Sequence, residues 1–458
     1  VLEKNLMKHQ VVLIEGDGIG PEICSAVRQI IDASGVEIDW VPVGAGLGEI
    51  EAHGKAITKE GLDTISRVGI ALKGPTTTPV GGGHSSVNVQ MRKELGLFAN
   101  VRMVRSLPGV PTRYSDVNLV VVRENVEDTY GGIEYMQTPD VALGFKFITR
   151  QGSEAICRYA FEYARAMGRR MVTCVHKANI HKMSDGLFLR VFREVAADYP
   201  DLDANDLIVD NACMQLVTRP ESYDVLVMPN LFGDIVSDLC AGLIGGLGVA
   251  PGANIGNDLA IFEAVHGSAP DIAGRGIANP SALLQSGIHM LRYIGESDAA
   301  DRIENALHAT LEAGDKTGDL GGNLNTEGFT SALVSRLRPA SAEQTVVASR
   351  ISLAPSAAAT RATTQLVGFD LYVQSTAYPD APEALGAFKL VGCANRGTNV
   401  TREQESRAQL VDWWRLRYTA EAPVTDEDLA LALREIPGSV SWMHIEKLQL
   451  FDGVPAFV

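Results

Sequence analysis

What this sequence has little of narrows the problem first. It holds six cysteines (Cys24, Cys157, Cys174, Cys213, Cys240 and Cys393), none in a C-x-x-C pair. That argues against a zinc ribbon or a disulfide framework and predicts reduced, buried thiols in a cytoplasmic protein. Positive charge is short: 40 Lys and Arg face 56 Asp and Glu, a net charge of −16, so there is no basic footprint for nucleic acid or an anionic membrane. An anionic ligand would have to be held by a local cluster of Arg and Lys working against the global field. The opening VLEKNLMKHQ has no signal-like apolar core. One of the most apolar runs, PNLFGDIVSDLCAGLIGGLG from Pro229 to Gly248, carries two Asp and several Gly, which rules it out as a membrane span. No internal repeat is present.

What is there is ordinary for a folded protein: 46% hydrophobic and 21% charged residues in a chain of 458, long enough for two or three domains. HQVVLIEGDGIGPEICSAVRQIIDAS reads as a buried strand, a glycine turn and an amphipathic helix. Its Gly16, Gly18 and Gly20 stand in G-x-G-x-G-P, a spacing that departs from the dinucleotide fingerprint, so they are taken as a decoy. Strand-like VEIDWVPVG, IALKGP, LVVVREN, RMVTCVHKANI, DLIVDNACMQLV and YDVLVMPN alternate with helical KEGLDTISRVG, EAICRYAFEYARAMG and DGLFLRVFREVAADYP. Such alternation predicts an α/β architecture with its site at strand ends. After Arg338 an Ala, Ser, Thr and Pro-rich stretch reads as a linker, and from Val367 order resumes as a small α+β module. There VGFDLYVQS, FKLVGCANRG and VSWMHIEKLQLF look like strands, while QLVDWWRLRY and DEDLALALREI fit strand or helix.

Five clusters carry chemistry. In Pro229–Gly248, Asp234 and Asp238 are four residues apart. On a helix both carboxylates would share one face and call for a shared divalent cation. Equally, Asp234 could cap the helix while Asp238 faces water. In SSVNVQMRKELGLFANVRMVR, Ser86, Asn88 and Arg92 precede Arg102 and then Arg123. Guanidinium forks beside hydroxyl and amide groups suit a polycarboxylate, although scattered surface arginines would look the same. Tyr130 of RENVEDTYGG is a proton donor or half-buried packing. Lys177 of VHKANIHK is a base of lowered pKa or a solvated strand-end lysine. Finally, in AIFEAVHGSAPDIAGRGIANPSALLQS a glycine-rich loop holds Asp271, placed to accept from a ribose diol and to repel a 2′-phosphate.

Taken in this order, the five clusters resemble the isocitrate and isopropylmalate dehydrogenase family of β-decarboxylating dehydrogenases, from about Val11 to Arg338. S-x-N-x-x-x-R (Ser86, Asn88, Arg92) resembles the isocitrate-specific pattern. HGSAPDIAG resembles the NAD-using version, since NADP-using bacterial relatives carry a Lys-Tyr pair where Asp271 and Ile272 stand. Phe232 of NLFGD also resembles the NAD-dependent and homoisocitrate branches. The tail, with VDWWRLRY and WMHIEKLQLFDG, is similar to the extra C-terminal domain of the Thermus-type isocitrate dehydrogenase.

The resemblance implies an isopropylmalate dehydrogenase-like, non-Rossmann α/β fold around a cleft. A large domain would span 1–98 and 246–338, and a small domain 99–245 with a clasp near 131–150. A linker, 339–365, would lead to the C-terminal α+β domain, 366–458. It implies a homodimer or higher homo-oligomer whose clefts borrow residues from the partner. It also implies oxidative decarboxylation of isocitrate to 2-oxoglutarate and CO2 in the tricarboxylic acid cycle, with NAD and Mg²⁺ or Mn²⁺. Asp234 and Asp238 would ligate the metal, with Asp210 of VDNA completing the set from the other subunit. Tyr130, Lys177 and Asp210 would move protons. Ser86, Asn88, Arg92, Arg102, Arg123 and Asn179 would hold the substrate. Thr78, His266, Gly267, Asp271, Ile272 and Asn279 would hold the cofactor. The rivals are a related oxidative decarboxylase of 3-isopropylmalate, homoisocitrate or a tartrate-like acid, and a catalytically silent regulatory subunit.

Overall fold

The apolar run after His9 forms the first strand of a sheet because Val11, Val12 and Ile14 have no exposure left once helices cover both faces. The structure is a computed structural model and describes residues 9–77, 86–338, 351, 353, 362–407 and 409–458. Most of the expected linker and Thr78 therefore lie outside the described residues. The chain folds as two compact units, 1–130 with 147–356 and 131–146 with 357–458.

The strands of the first unit are β1 (His9–Ile14), β2 (Ile38–Pro42), β3 (Ile70–Lys73), β4 (Ala99–Arg105) and β5 (Asn118–Glu124). After β6 (Glu134–Thr138) and β7 (Val141–Gly144), which belong to the second unit, it continues with β8 (Met171–His176), β9 (Asp203–Ile208) and β10 (Val225–Met228). It ends with β11 (Pro251–Ile255) and β12 (Ala260–Ala264). Its helices are α1 (Gly20–Ala33), α2 (Leu47–His53), α3 (Lys59–Val68), α4 (Val87–Glu94), α5 (Arg150–Ala166) and α6 (Ser184–Ala196). They are followed by α7 (Val209–Thr218), α8 (Asn230–Leu243), α9 (Ser281–Tyr293), α10 (Ser297–Glu312) and α11 (Thr326–Val334).

All ten strands join one sheet in the order β2-β1-β3-β12-β11-β4-β5-β10-β8-β9. The two flanks are parallel, and the centre turns antiparallel at β12-β11, β11-β4 and β4-β5. The boundary expected between the large and small domains falls between β11 and β4, which are hydrogen-bonded neighbours. Helices pack on both faces, as a largely parallel sheet requires.

One expectation is corrected. The composition of DLIVDNACMQLV predicts a strand, yet β9 stops at Ile208 and Val209–Thr218 winds as α7. Ala212 and Leu216, four residues apart, are its buried stripe, and at helical spacing they outweigh the β-rich composition. Asp210 consequently stands in the first turn of a helix.

In the second unit, β13 (Thr364–Gln374), β14 (Ala384–Leu385), β15 (Phe388–Asn395), β16 (Thr398–Asn399), β17 (Trp413–Thr419), β18 (Ser441–Phe451) and β19 (Val454–Pro455) form an antiparallel sheet. The alternatives left open resolve as β17 for VDWWRLRY and α12 (Asp426–Arg434) for DEDLALALREI. Thr425 and Asp428 form a capping box that starts α12. Phe369, Phe388, Trp414 and Tyr418 fill the core beneath it. The β6–β7 hairpin is tied to this sheet: Thr138 donates to Asp412 at 2.8 Å and Gln137 shares a hydrogen bond with His444 at 2.9 Å.

All six cysteines are free and five are buried. Among the described residues no helix is long and apolar enough to cross a membrane.

Candidate active site

Helix α8 begins at Asn230 with Pro229 in the capping position, so Asp234 is an interior residue and the capping alternative fails. The start of the helix is instead served by Asp128, whose carboxylate accepts from the Leu231 amide at 2.9 Å. Asp234 faces Arg123 and Tyr130: the guanidinium donates to one carboxylate oxygen and the phenol to the other, the latter at 2.6 Å. A glycine one position earlier makes this possible, because a Cβ at Gly233 would sit 2.4 Å from Arg123 Cγ. Arg123 Nε also donates to Asn230 at 2.9 Å, and its guanidinium lies 4.8 Å from the Tyr130 ring centre.

The two carboxylates of α8 are driven apart electrostatically. Burial pushes Asp234 up, but Arg123, the Tyr130 hydrogen bond, Arg102 and Arg92 hold it below its ordinary value. Asp238, facing solvent, is raised by partial burial and by Asp234 beside it. Burial and the bond to Asp234 raise Tyr130, so the phenol keeps its proton.

Three arginines converge here from three elements: Arg92 at the end of α4, Arg102 on β4 and Arg123 on β5, all buried. Burial and mutual repulsion lower Arg92, and bring Arg102 down to about 10. Each keeps a buried nitrogen without a partner among the described residues: Arg92 Nε, Arg102 Nη1 and Arg123 Nη2. Groups left so are expensive unless an anion completes them.

Behind the arginines lies a buried network that the sequence reading missed. Lys73 donates to Glu263 at 2.8 Å, Asn254 donates to Glu263 at 2.7 Å, and Asn100 donates to Asn254 at 2.8 Å. Arg102 Nε then donates to Asn100 at 2.6 Å, and Arg92 lies 3.8 Å from Glu263. Burial would raise Glu263, but Lys73 and Arg92 bring it down to about 2. The available signal was a carboxylate inside the apolar strand AIFEA, since a buried charge requires a partner.

Ser86 occupies the capping position of α4 without making the capping bond, and Asn88 accepts from Thr76 at 3.3 Å. Lys177 follows β8 and donates to Asp210 at 2.5 Å, with Asp210 largely exposed. Asn179 is exposed in the turn after Lys177. Among the described residues no three His, Cys, Asp or Glu side chains of one chain come together as a metal cage, so Asp210 does not join Asp234 and Asp238 within a chain.

On the loop expected to hold the cofactor, His266 Nδ1 bonds to the Gly267 carbonyl at 2.9 Å while its buried Nε2 has no partner among the described residues. Burial lowers its pKa, keeping the ring neutral. Asp271 is exposed and Ile272 half-buried in a single 3₁₀ turn. Asn279 is already engaged, donating to Asp319 at 2.8 Å and accepting from Ser281 at 2.9 Å. The glycine turn serves this loop by close approach: at φ +59°, a Cβ on Gly18 would lie 2.0 Å from the Ser268 carbonyl oxygen. Ser268 also meets Thr77 at 2.6 Å, and the Thr77 amide donates to Asp17 at 2.7 Å.

Comparison with known proteins gives this geometry a context. The model of the isocitrate/isopropylmalate dehydrogenase family matches residues 10–334, and that of the bacterial isocitrate dehydrogenase C-terminal domain matches 364–458. An isocitrate dehydrogenase [NADP] of Thermus thermophilus is 44% identical, covering 98% of this chain and 94% of its own. A mitochondrial regulatory subunit of isocitrate dehydrogenase [NAD] from Dictyostelium discoideum is 53% identical over 72% of this chain and 92% of its own. A crystal structure from Thermus thermophilus superimposes with a TM-score of 0.92 at 43% identity, covering 98% of this chain and 95% of that one. With its arginines, acid pair and glycine-rich loop held on this sheet, the chain belongs to the isocitrate/isopropylmalate dehydrogenase family of oxidoreductases and carries the C-terminal domain found in bacterial isocitrate dehydrogenases.

Proposed function

We propose that the protein is an isocitrate dehydrogenase that uses NAD and a divalent cation. The observation that carries it is the trio of buried arginines, each with an unsatisfied nitrogen, beside Ser86 and Asn88. Three cations that weaken one another are built to receive several carboxylates at once. A polar Ser86 and Asn88 favour isocitrate over 3-isopropylmalate, whose apolar branch would leave them unpaired.

The donor set fits Mg²⁺ or Mn²⁺: Asp234 and Asp238 are hard oxygen ligands one helical turn apart. Asp210, largely exposed, would reach them from a partner chain. That role is supported by the exposed Met214 and Val217 of α7 and Ile235 of α8. The cation would polarise the C2 hydroxyl and carbonyl oxygen, and the nicotinamide would accept the hydride.

The chain's own groups do the rest. Arg92, Arg102 and Arg123 orient the carboxylates. Lys177 would come from the partner chain together with Asp210, to which it is hydrogen-bonded, and in its neutral amine form it receives the hydroxyl proton. Tyr130 keeps its proton through its bond to Asp234 and returns it to carbon after CO2 leaves.

NAD is favoured by Asp271, whose carboxylate would repel a 2′-phosphate. NADP is the second reading, supported by the near full-length likeness to the Thermus [NADP] relative. Initial rates with isocitrate and Mg²⁺, using NAD against NADP, decide between them; a preference for NADP would overturn the cofactor assignment. Tyr130→Phe should slow decarboxylation by about 10²-fold or more while leaving oxidation of the hydroxy acid measurable. Equal loss of both partial reactions would remove Tyr130 from that role.

A further inference from the structure

The centre of the large sheet has a second concave site on the face opposite the arginines. Side chains alternate along a strand. Arg102, Asn254 and Glu263 point to the charged cluster. Their neighbours Val101, Met103, Ala253, Ile255 and Phe262 line a cavity of about 290 Å³ on the other side. Helices α5 and α9 form its walls and contribute Tyr159, Tyr163 and His289. The volume is at the low end for small-molecule sites, about 300–1,000 Å³.

The polar groups in this cavity do not satisfy one another. Neither the hydroxyls of Tyr159 and Tyr163 nor the ring of His289 hydrogen-bonds to any described residue, although both tyrosines are buried. Buried tyrosine hydroxyls ordinarily find a partner. The charged groups at the rim are differently placed: Arg292 Nη2 is matched by Asp301 and Glu304, Arg169 by Asp224 and Arg105 by Glu304 at 3.4 Å, and of their buried nitrogens only Arg292 Nε lacks a partner among the described residues. Simple loss of packing gives no reason to gather three unmatched hydrogen-bonding groups above the apolar floor that Val101, Met103, Ala253, Ile255 and Phe262 make.

We propose that this cavity is a binding site for a small, flat, neutral molecule that carries hydrogen-bonding atoms on one edge. Its apolar body would lie on the sheet and its edge against Tyr159, Tyr163 and His289. Neutrality follows from the lining: burial brings His289 down to about 4 and Tyr163 up to about 12, so at neutral pH all three groups are uncharged. The rim guanidiniums of Arg105, Arg169 and Arg292 face the carboxylates of Glu304, Asp224 and Asp301, so no whole charge is left over for an ionic ligand.

The test uses the full chain and 2-naphthol as a fluorescent probe, with naphthalene and 2-naphthoate as its apolar and anionic counterparts. Saturable binding of about one 2-naphthol per chain is expected, with naphthalene weaker and 2-naphthoate failing to compete. Tyr159→Phe, Tyr163→Phe and His289→Leu should each weaken 2-naphthol by about threefold to tenfold, the effect of one hydrogen bond, and leave naphthalene unchanged. Ala253→Leu, which fills the floor, should weaken both neutral probes. The proposal is overturned by any of three results: no saturation below ~1 mM, equal binding of 2-naphthol and naphthalene, or binding indifferent to all four substitutions.

Discussion

β4, β11 and β12 carry two chemistries on one backbone. Towards one side, Arg102, Asn254 and Glu263 join Lys73, Asn100 and Arg92 in a buried ionic network. Towards the other, Val101, Ala253 and Phe262 line an apolar cavity. The difference lies in what each face needs from its neighbours. Ionic groups out of water must be matched almost completely, so on the first face few polar atoms are left without a partner among the described residues, Arg92 Nε and Arg102 Nη1 among them. An apolar face tolerates open space at the cost of lost packing.

Paired substitutions on adjacent residues sharpen that contrast. The largest effect is expected from Glu263→Gln, which leaves Lys73 buried without its counter-charge. Denaturant unfolding should show a loss of about 3 kcal/mol or more. Next is Arg102→Ala, expected to lower kcat/KM for isocitrate by about 30-fold or more through loss of a buried carboxylate partner. Met103→Leu next to it should leave that ratio unchanged, and if both fall alike the two faces are not separable. A smaller effect is expected from Phe262→Leu, about 1 kcal/mol of stability with no change in substrate affinity.

Acid provides an independent check on the ionic face. Glu263 titrates at about 2 in the folded protein against 4.5 ordinarily, so its stabilisation is complete above the ordinary value. It is lost as pH falls from there towards 2. Glu263→Gln should remove that part of the acid dependence, and an unchanged slope in urea unfolding would contradict the pairing.

The sequence exposed these features unequally. Asp234 and Asp238 were legible because their spacing is local and helical, and Tyr130 and Arg123 because both stand just beyond or within one strand. The alternation of strands and helices carried the α/β class, and the runs VGFDLYVQS, FKLVGCANRG and VSWMHIEKLQLF carried strands of the tail, whose antiparallel pairing only the structure shows. The Lys73–Glu263 pair was not legible, since 190 residues separate its members and only the order of β3 and β12 in the sheet brings them together. Helix α7 was missed because its buried stripe is only two residues, Ala212 and Leu216, within a β-branched and apolar stretch. The cavity escaped for a different reason: its residues read one by one as ordinary core, and a void is a property of their arrangement.

Asp128 has a consequence for motion. It holds φ +66°, a backbone state unusual for any residue with a side chain, and is fully buried. Its carboxylate grips the Leu231 amide of α8 and the Thr129 amide of its own turn. The phenol of Tyr130 and the carboxylate of Asp234 are thereby clamped to a common chassis. Whatever shift α8 undergoes, the hydroxyl and the carboxylate it meets move as one body, their 2.6 Å hydrogen bond intact.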